Sequence, residues 1–172
     1  MSNVNGLALA ILPVLTTVTV ATTTPTTITT SALVQTSKAL NTATTYTFNY
    51  NTMNKHENGG SFVITAPSTV TVDATMSTCT VTYNSVSNTM VCSVAGRVIT
   101  VGTGFTTPLA KGATIYIAVG PITNPTTQSG STASFSLESY TDSTLAYKID
   151  TVSSGLVPAF DCTYPCATCN VG

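Results

Sequence analysis

Short runs of β-type residues recur from Asn41 to Thr151, and residues typical of turns separate them. Several of these runs alternate apolar and polar side chains with a period of two, which predicts half-buried strands. The predicted strands are Ala43–Tyr50, Ser61–Thr65, Thr69–Asp73, Cys79–Tyr83, Thr89–Val94, Arg97–Val101, Ala113–Val119, Ala133–Ser139 and Leu145–Thr151. Nothing between them resembles a crossover helix. The pattern therefore predicts an all-β fold, an antiparallel β-sandwich of about 8–10 strands over residues 42–155.

Threonine supplies the polar positions of this pattern, with 38 residues in a chain of 172. Its branched Cβ suits a pleated surface, and its hydroxyl keeps an exposed face hydrated without charge. Charged residues make up only 6 % of the chain, against about 25 % in an average domain. The formal net charge of −1 gives no electrostatic reason to expect nucleic acid or an anionic membrane as a partner. Weak self-repulsion also leaves association between copies unopposed.

The segment Gly6–Ala21 is apolar and uncharged, and such a segment can be a secretory signal, a membrane-spanning helix or a β-strand. A secretory signal normally begins with positive residues, which Met1–Gly6 lacks. A membrane-spanning helix needs about 20 apolar residues, and Pro13 and several threonines interrupt this run. Alternation of valine with threonine favours a β-strand. Residues 1–21 are therefore predicted to be a donor strand that pairs with a neighbouring copy. The predicted assembly residues are Leu7, Leu9, Ile11, Val14, Leu15, Val18 and Val20.

Residues 22–41 are predicted to form a Thr/Pro-rich linker. The low-complexity stretch Thr22–Thr30 fits either a solvated, extended spacer or an O-glycosylated patch, and composition alone does not separate the two. The candidate glycosylation sites are Thr22, Thr23, Thr24, Thr26 and Thr27. Ser31–Leu40 has a pattern that fits a short helix or a strand equally well.

Five cysteines in a short chain predict an oxidising, extracellular setting. Cys79 and Cys92 lie nearly symmetrically about the predicted turn Asn84–Asn88, so we expect them to face each other across a hairpin and form a disulfide. Residues 156–172 are predicted to be a cysteine-rich tail. Its cysteines, Cys162, Cys166 and Cys169, are predicted disulfide residues, and their odd number requires a partner outside the set or a free thiol.

The tail FDCTYPCATCNVG (Phe160–Gly172) resembles the entry into furin-like, growth-factor-receptor-type cysteine-rich repeats of ciliate and other protist surface proteins. The segment Ile99–Thr141, with its GPITNP turn, is similar to the β-rich region just before such repeats. The resemblance covers about the last 75 residues. No further repeat cysteines follow in this sequence. The resemblance implies a secreted or cell-surface structural protein without catalytic residues.

The chain shows no recognisable constellation of catalytic residues. His56, the one histidine, stands in the loop sequence NKHENGG and is interpreted as a solvated loop residue. The carboxylates are scattered singly, and a zinc site would need more ligands than His56 adds to the three tail cysteines. We therefore predict no enzyme activity, no metal site and no cofactor. The tyrosines at strand positions, Tyr46, Tyr50, Tyr83, Tyr116 and Tyr147, are interpreted mostly as core residues.

These observations together predict a structural subunit of an extracellular fibre or surface layer. Its partners would be copies of itself, joined by the donated strand, with O-linked glycans on threonine and serine and with no membrane span. The alternative is a monomeric adhesive or glycan-binding β-sandwich ectodomain, because sandwich folds often carry such sites.

Overall fold

The computed structural model describes residues 24–29, 31–102, 105–127 and 133–161. These ranges contain strands, turns and loops and no helix, so the predicted all-β class is confirmed. The eleven strands are β1 (Thr26–Thr27), β2 (Ser31–Gln35), β3 (Ala43–Asn51), β4 (Ser61–Thr65), β5 (Thr71–Val72), β6 (Thr78–Tyr83), β7 (Val86–Ala95), β8 (Val98–Val101), β9 (Thr114–Thr123), β10 (Phe135–Tyr140) and β11 (Lys148–Leu156).

The strands form one curled sheet in the order β1-β11-β10-β4-β8-β7-β6-β9-β3-β2, and β5 pairs with β9 outside this path. Strand β7 changes partner along its length. Its residues up to Val91 pair with β6, and Cys92–Ala95 pair with β8. We call β2, β3, β5, β6, β9 and residues 86–91 the front half. The back half consists of β1, β4, β8, β10, β11 and residues 92–95.

The curl brings the inward sides of the two halves together around an aromatic core. Alternation along β3 sends Tyr46, Phe48 and Tyr50 inward, where each is at most 1 % exposed. The rings of Tyr46 and Phe48 each lie 5.2 Å from the ring of Phe135 in β10. The Tyr50 ring lies 6.0 Å from that of Phe62 in β4. These tilted and edge-to-face contacts therefore hold the front half against the back half.

Strands β3 to β11 overlap the nine runs predicted from the sequence. Strand β1 is additional, and β2 shows that Ser31–Leu40, whose pattern fits a helix or a strand, forms a strand over Ser31–Gln35. Both lie within the predicted linker 22–41, so the sheet begins before residue 42. Strand β1 pairs in parallel with β11, through Thr26 opposite Asp150 and Thr27 opposite Thr151. The sheet is therefore mixed, and the prediction of a wholly antiparallel arrangement is wrong for this pair.

The predicted boundary between the sheet and the tail also shifts. Strand β11 continues to the fully buried Leu156, and the half-buried Phe160 packs against the core. The backbone N–H of Ala159 donates to Gln35 Oε1 at 2.9 Å, and that of Asp161 donates to the Lys38 carbonyl at 2.9 Å. Residues 156–161, predicted as the start of the tail, therefore pack against the sheet. Cys162, Cys166 and Cys169 lie outside the described residues.

The hairpin between β6 and β7 is tighter than predicted. Its turn is the pair Asn84-Ser85, both with left-handed φ angles of 50° and 62°, which is the backbone of a two-residue hairpin turn. The prediction of a longer turn over Asn84–Asn88 is therefore wrong. The shorter turn moves the register, so that Cys79 faces Met90 and not Cys92.

Cys79 and Cys92 nevertheless form the predicted disulfide. Their Cα atoms are 5.8 Å apart, within the range that a disulfide spans. Cys92 lies two residues beyond Met90, at the point where β7 leaves β6 to pair with β8. The disulfide therefore joins β6 to the part of β7 that crosses between the two halves.

Replacing both cysteines by alanine is expected to lower the free energy of unfolding by about 3 kcal/mol, since the bridge closes a loop with a sequence separation of 13. Chemical denaturation followed by circular dichroism measures this loss. The exposed neighbour Val91 provides the control substitution Val91→Ala, which should change stability little. A double variant as stable as the wild type would contradict the prediction.

Candidate functional site

The residues predicted to mediate assembly, Leu7, Leu9, Ile11, Val14, Leu15, Val18 and Val20, lie outside the described residues. Of the residues that follow this segment, Thr26 and Thr27 form β1, which runs parallel to β11 and pairs with Asp150 and Thr151. Strand β1 is the outermost strand at this end of the described sheet.

The candidate glycosylation sites differ in how accessible their hydroxyls are. Thr22 and Thr23 lie outside the described residues, while Thr24 and Thr27 are exposed. Thr26 is half-buried, and its Oγ1 accepts a hydrogen bond from Asn54 Nδ2 at 2.9 Å. A glycan on Thr26 would have to displace that contact, so Thr24 and Thr27 are the better acceptors among the described candidates.

A buried polar cluster surrounds the carboxylate of Asp150, which lies in β11 and has no exposed surface. Asn54 Nδ2 donates to Asp150 Oδ1 at 2.7 Å. The backbone N–H groups of Met53 and Asn54 donate to Oδ2 at 3.1 and 3.4 Å. His56 Nε2 lies 3.2 Å from the same oxygen, and the Asp150 N–H donates to Ser139 Oγ at 3.0 Å. These bonds fasten the loop after β3 to β10 and β11.

The interpretation of His56 as a solvated loop residue is wrong, because the imidazole is fully buried. Its backbone N–H and C=O bond to Leu109, and its ring lies 6.1 Å from that of Phe62. The local sequence gives little indication that His56 is buried. Lys55 and Glu57, on either side of it, are exposed and pair with each other at 2.8 Å. The partner that makes burial of the imidazole possible, Asp150, is 94 residues further along the chain.

Ser139, His56 and Asp150 do not form a nucleophilic triad. Such a triad uses both ring nitrogens, one facing the nucleophile and the other facing the acid. Here Ser139 Oγ lies 3.4 Å from Nε2, the same nitrogen that contacts Asp150. Nδ1 is buried and has no hydrogen-bond partner among the described residues. All three side chains are buried, so the arrangement is that of a structural cluster.

The environment of Asp150 lowers the pKa of its carboxyl group. Burial acts to raise this pKa, but the hydrogen bonds from His56, Asn54 and the Met53 N–H together outweigh it. The carboxylate is therefore ionised at neutral pH and can only accept hydrogen bonds. It follows that His56 Nε2 carries the proton that bridges the pair.

A second buried polar network lies around the hydroxyl of Tyr46. This hydroxyl donates to Asn124 Oδ1 at 2.5 Å and accepts from Gln35 Nε2 at 3.1 Å. Asn124 Nδ2 in turn donates to the carbonyls of Ser37 and Ala39. Burial raises the pKa of Tyr46 to about 12, against a smaller lowering by the Gln35 hydrogen bond. The network fixes the chain between β2 and β3 to the end of β9.

The outward side of the front half is a broad surface that we call the hydroxyl-rich face. It consists of Thr45, Thr47, Asn49 and Asn51 of β3, Thr114, Tyr116 and Ala118 of β9, Thr78, Thr80 and Thr82 of β6, and Ser87 and Thr89 of β7. Two exposed apolar residues border it on the same side of the sheet, Val34 of β2 opposite Thr47 and Val91 of β7 opposite Thr78. Each is exposed or half-buried and alternates with inward residues. None carries a charge at neutral pH. Alternation in the sequence predicts which residues of each strand face outward, but it does not predict that these four strands are neighbours in the sheet.

Two rows of side chains cross this face in register. One row runs Thr47, Ala118, Thr80 and Thr89, and the next runs Asn49, Tyr116, Thr82 and Ser87. The interpretation of Tyr116 as a core residue is wrong, since its side chain points outward and is 43 % exposed. Tyr147, in the loop before β11, is also exposed, at 52 %. Tyr46, Tyr50 and Tyr83 are buried, as expected for core residues.

The hydroxyl-rich face holds two shallow depressions. One, of about 270 Å³, is lined by Thr82, Tyr83, Asn84, Ser85, Thr114 and Tyr116. The other, of about 260 Å³, is lined by Thr45, Thr78, Cys79, Thr80, Thr89, Ala118 and Gly120. Gly120 lies close against β3, and a Cβ there would meet the Thr44 carbonyl oxygen and Thr45 Oγ1 at 3.0 Å, so this position has little room for a side chain. Both depressions open on the strands β6 and β9.

Comparisons with known proteins identify no family for this chain. No family model and no curated protein sequence matches it. Among solved structures, the crystal structure of BslA, a bacterial hydrophobin, aligns with a TM-score of 0.38 and 13 % identity. The alignment covers 77 % of this chain and 100 % of that one. A similarity this low supports no conclusion about the fold or the function of this protein.

In the part of the chain that the structure describes, no three or more histidine, cysteine, aspartate or glutamate side chains come together as a metal site. The same residues include no helix with the length and hydropathy to cross a bilayer.

Proposed function

We propose that this protein is a structural subunit of an extracellular fibre or surface layer, assembled by donation of the segment 1–21 to a neighbouring copy. The observation that carries the proposal is the position of β1. Thr26 and Thr27 form the outermost strand at this end of the described sheet, parallel to β11, and the donated segment precedes them in the chain. Strands at the edge of a sheet favour the addition of a strand from another chain.

The apolar side chains of residues 1–21 supply the free energy for assembly. Burying about eight of them contributes on the order of 10 kcal/mol before the cost of ordering the segment. Pairing also satisfies backbone groups that a buried strand cannot leave unpaired. A head-to-tail contact of this kind propagates a filament unless its geometry closes a ring.

The remaining features fit an extracellular location. The Cys79–Cys92 disulfide is stable in an oxidising compartment. In this proposal the curled sheet acts as a two-layered β-sandwich module, and the cysteine-rich tail forms covalent links to neighbours. Exposed threonines such as Thr24 and Thr27 carry O-linked glycans. The subunit has no catalytic role.

Deleting residues 1–21 is expected to convert the assembled protein to monomers, because it removes the whole donated strand. Light scattering coupled to size-exclusion chromatography measures the mass, and electron microscopy shows the particles. The double variant Thr17→Ser/Thr19→Ser keeps the apolar face and serves as the control, which should assemble normally. Particles of unchanged length and mass after the deletion would contradict strand donation. If the full chain itself is a monomer, the alternative of a monomeric adhesive module replaces the fibre subunit.

A further inference from the structure

We infer that the hydroxyl-rich face binds a neutral polysaccharide. The first argument is its charge. Its twelve side chains carry none, so the face offers no ion pair to a phosphate, sulfate or carboxylate ligand. A sugar polymer without charged groups fits this surface, because its binding requires no charged side chain on the protein.

The second argument is the ordered array of hydrogen-bonding groups. Hydroxyls and amides repeat along the rows at the strand spacing of about 4.8 Å, and along each strand at about 6.7 Å. Several are held in place by one another. Thr82 Oγ1 and Ser87 Oγ lie 2.8 Å apart, and Thr114 Oγ1 donates to Asn51 Oδ1 at 2.9 Å. Preorganised groups of this kind lose little entropy when they bind sugar hydroxyls.

The third argument is Tyr116, whose exposed ring lies among these polar groups. An aromatic side chain that combines an apolar ring with a polar hydroxyl suits the alternating apolar and polar surfaces of a sugar ring. Tyr116 lines the first depression together with Thr82 and Thr114, and the side chains of the turn residues Asn84 and Ser85 border it. The depression therefore offers an apolar contact surrounded by hydrogen-bonding groups, as small-molecule sites do.

The two depressions indicate a chain of sugars and not a single one. Thr82 lines the first depression and Thr78 the second, and both lie on β6. The four-residue step between them spans about 13 Å along the strand. The two depressions adjoin, because Thr82 and Tyr116 line the first, and their outward neighbours along β6 and β9, Thr80 and Ala118, line the second. An oligosaccharide lying along β6 and β9 would contact both depressions.

A second copy of this chain fits the face less well. Stable interfaces between subunits are built on an apolar, fully buried centre. The centre of this face consists of threonine hydroxyls, Ala118 and one tyrosine ring, and its exposed valines, Val34 and Val91, lie apart at opposite margins. This inference does not depend on strand donation, which uses an edge of the back half.

The test is binding of the full chain to an array of oligosaccharides, both neutral and charged, followed by calorimetric titration of the neutral ligand that binds best. Tyr116→Ala should weaken that binding by about tenfold, because it removes the aromatic contact. Thr80→Lys places a long charged side chain in the second depression, beside the first, and should abolish detectable binding. The controls are Tyr147→Ala, an exposed tyrosine away from the face, and Thr107→Lys, an exposed loop threonine.

Weakened binding in both face variants, with both controls unchanged, would support the inference. Three outcomes of the saccharide-binding measurements would overturn it. These are no binding to any neutral oligosaccharide, equal binding by wild type and both face variants, or binding only to charged ligands. A changed particle mass in Thr80→Lys without any saccharide binding would also overturn it, since the face would then be an interface between copies. Circular dichroism confirms that each variant is folded.

Discussion

Asp150→Asn should lower the free energy of unfolding by about 3–5 kcal/mol, since it removes one partner of a buried charged cluster. The amide that replaces the carboxylate cannot accept from all the donors now directed at it. Those donors are the N–H groups of Met53 and Asn54, the Asn54 side chain and His56 Nε2. Urea denaturation at neutral pH measures the loss. Asp161→Asn makes the same chemical change at an exposed carboxylate and should be nearly neutral.

The pH dependence of stability provides a second measurement of the same cluster. The pKa of Asp150 is lowered in the folded state, so folding favours its ionised form. The stabilisation is therefore present above the pKa of the unfolded carboxyl, about 4, and disappears as the pH falls through the lower, folded value. Asp150→Asn should flatten this part of the profile, while Asp161→Asn should retain it. Equal stability and equal acid profiles for Asp150→Asn and the wild type would contradict this account of the cluster.

Phe135→Ala is expected to cost about 3–5 kcal/mol, because it removes a fully buried ring and leaves a cavity. The ring contacts Tyr46 and Phe48 of the front half from its position in the back half. Its loss therefore weakens the packing that holds the two halves together. Thermal and chemical unfolding of the purified variant measure the effect.

The same substitution at Phe160 serves as the matched control. Phe160 is half-buried at the margin of the core, so Phe160→Ala removes an equal number of atoms from a less enclosed place. We expect a clearly smaller loss of stability. If the two variants lose equal stability, the ring of Phe135 is not a principal contact between the halves.

The sequence was sufficient to predict strands where the alternation was strong. Ser61–Thr65 was predicted at its observed bounds, and the inward stripe Tyr46, Phe48 and Tyr50 follows from a period of two. Local pattern carries this information because each strand must bury one side. The disulfide between Cys79 and Cys92 was predictable, because both cysteines lie on one hairpin. The two-residue turn Asn84-Ser85 was not, and the predicted strand register is wrong for that reason.

The features that could not be predicted depend on partners distant in the chain. His56 is buried because its ring donates a hydrogen bond to the carboxylate of Asp150, 94 residues further along the chain, and no local pattern indicates that contact. The two residues of β1 are too few for a periodic signal and belong to the sheet only through β11. The hydroxyl-rich face likewise requires the strand order β7-β6-β9-β3, which alternation alone does not fix.

The most direct test of the proposed assembly is a cryo-electron microscopy reconstruction of the particles formed by the full chain. The account predicts continuous density leading from β1 of one subunit into the sheet of the next, with residues 1–21 lying there as an added strand. Density that returns these residues to the sheet of their own subunit, with neighbours joined by other surfaces, would contradict it.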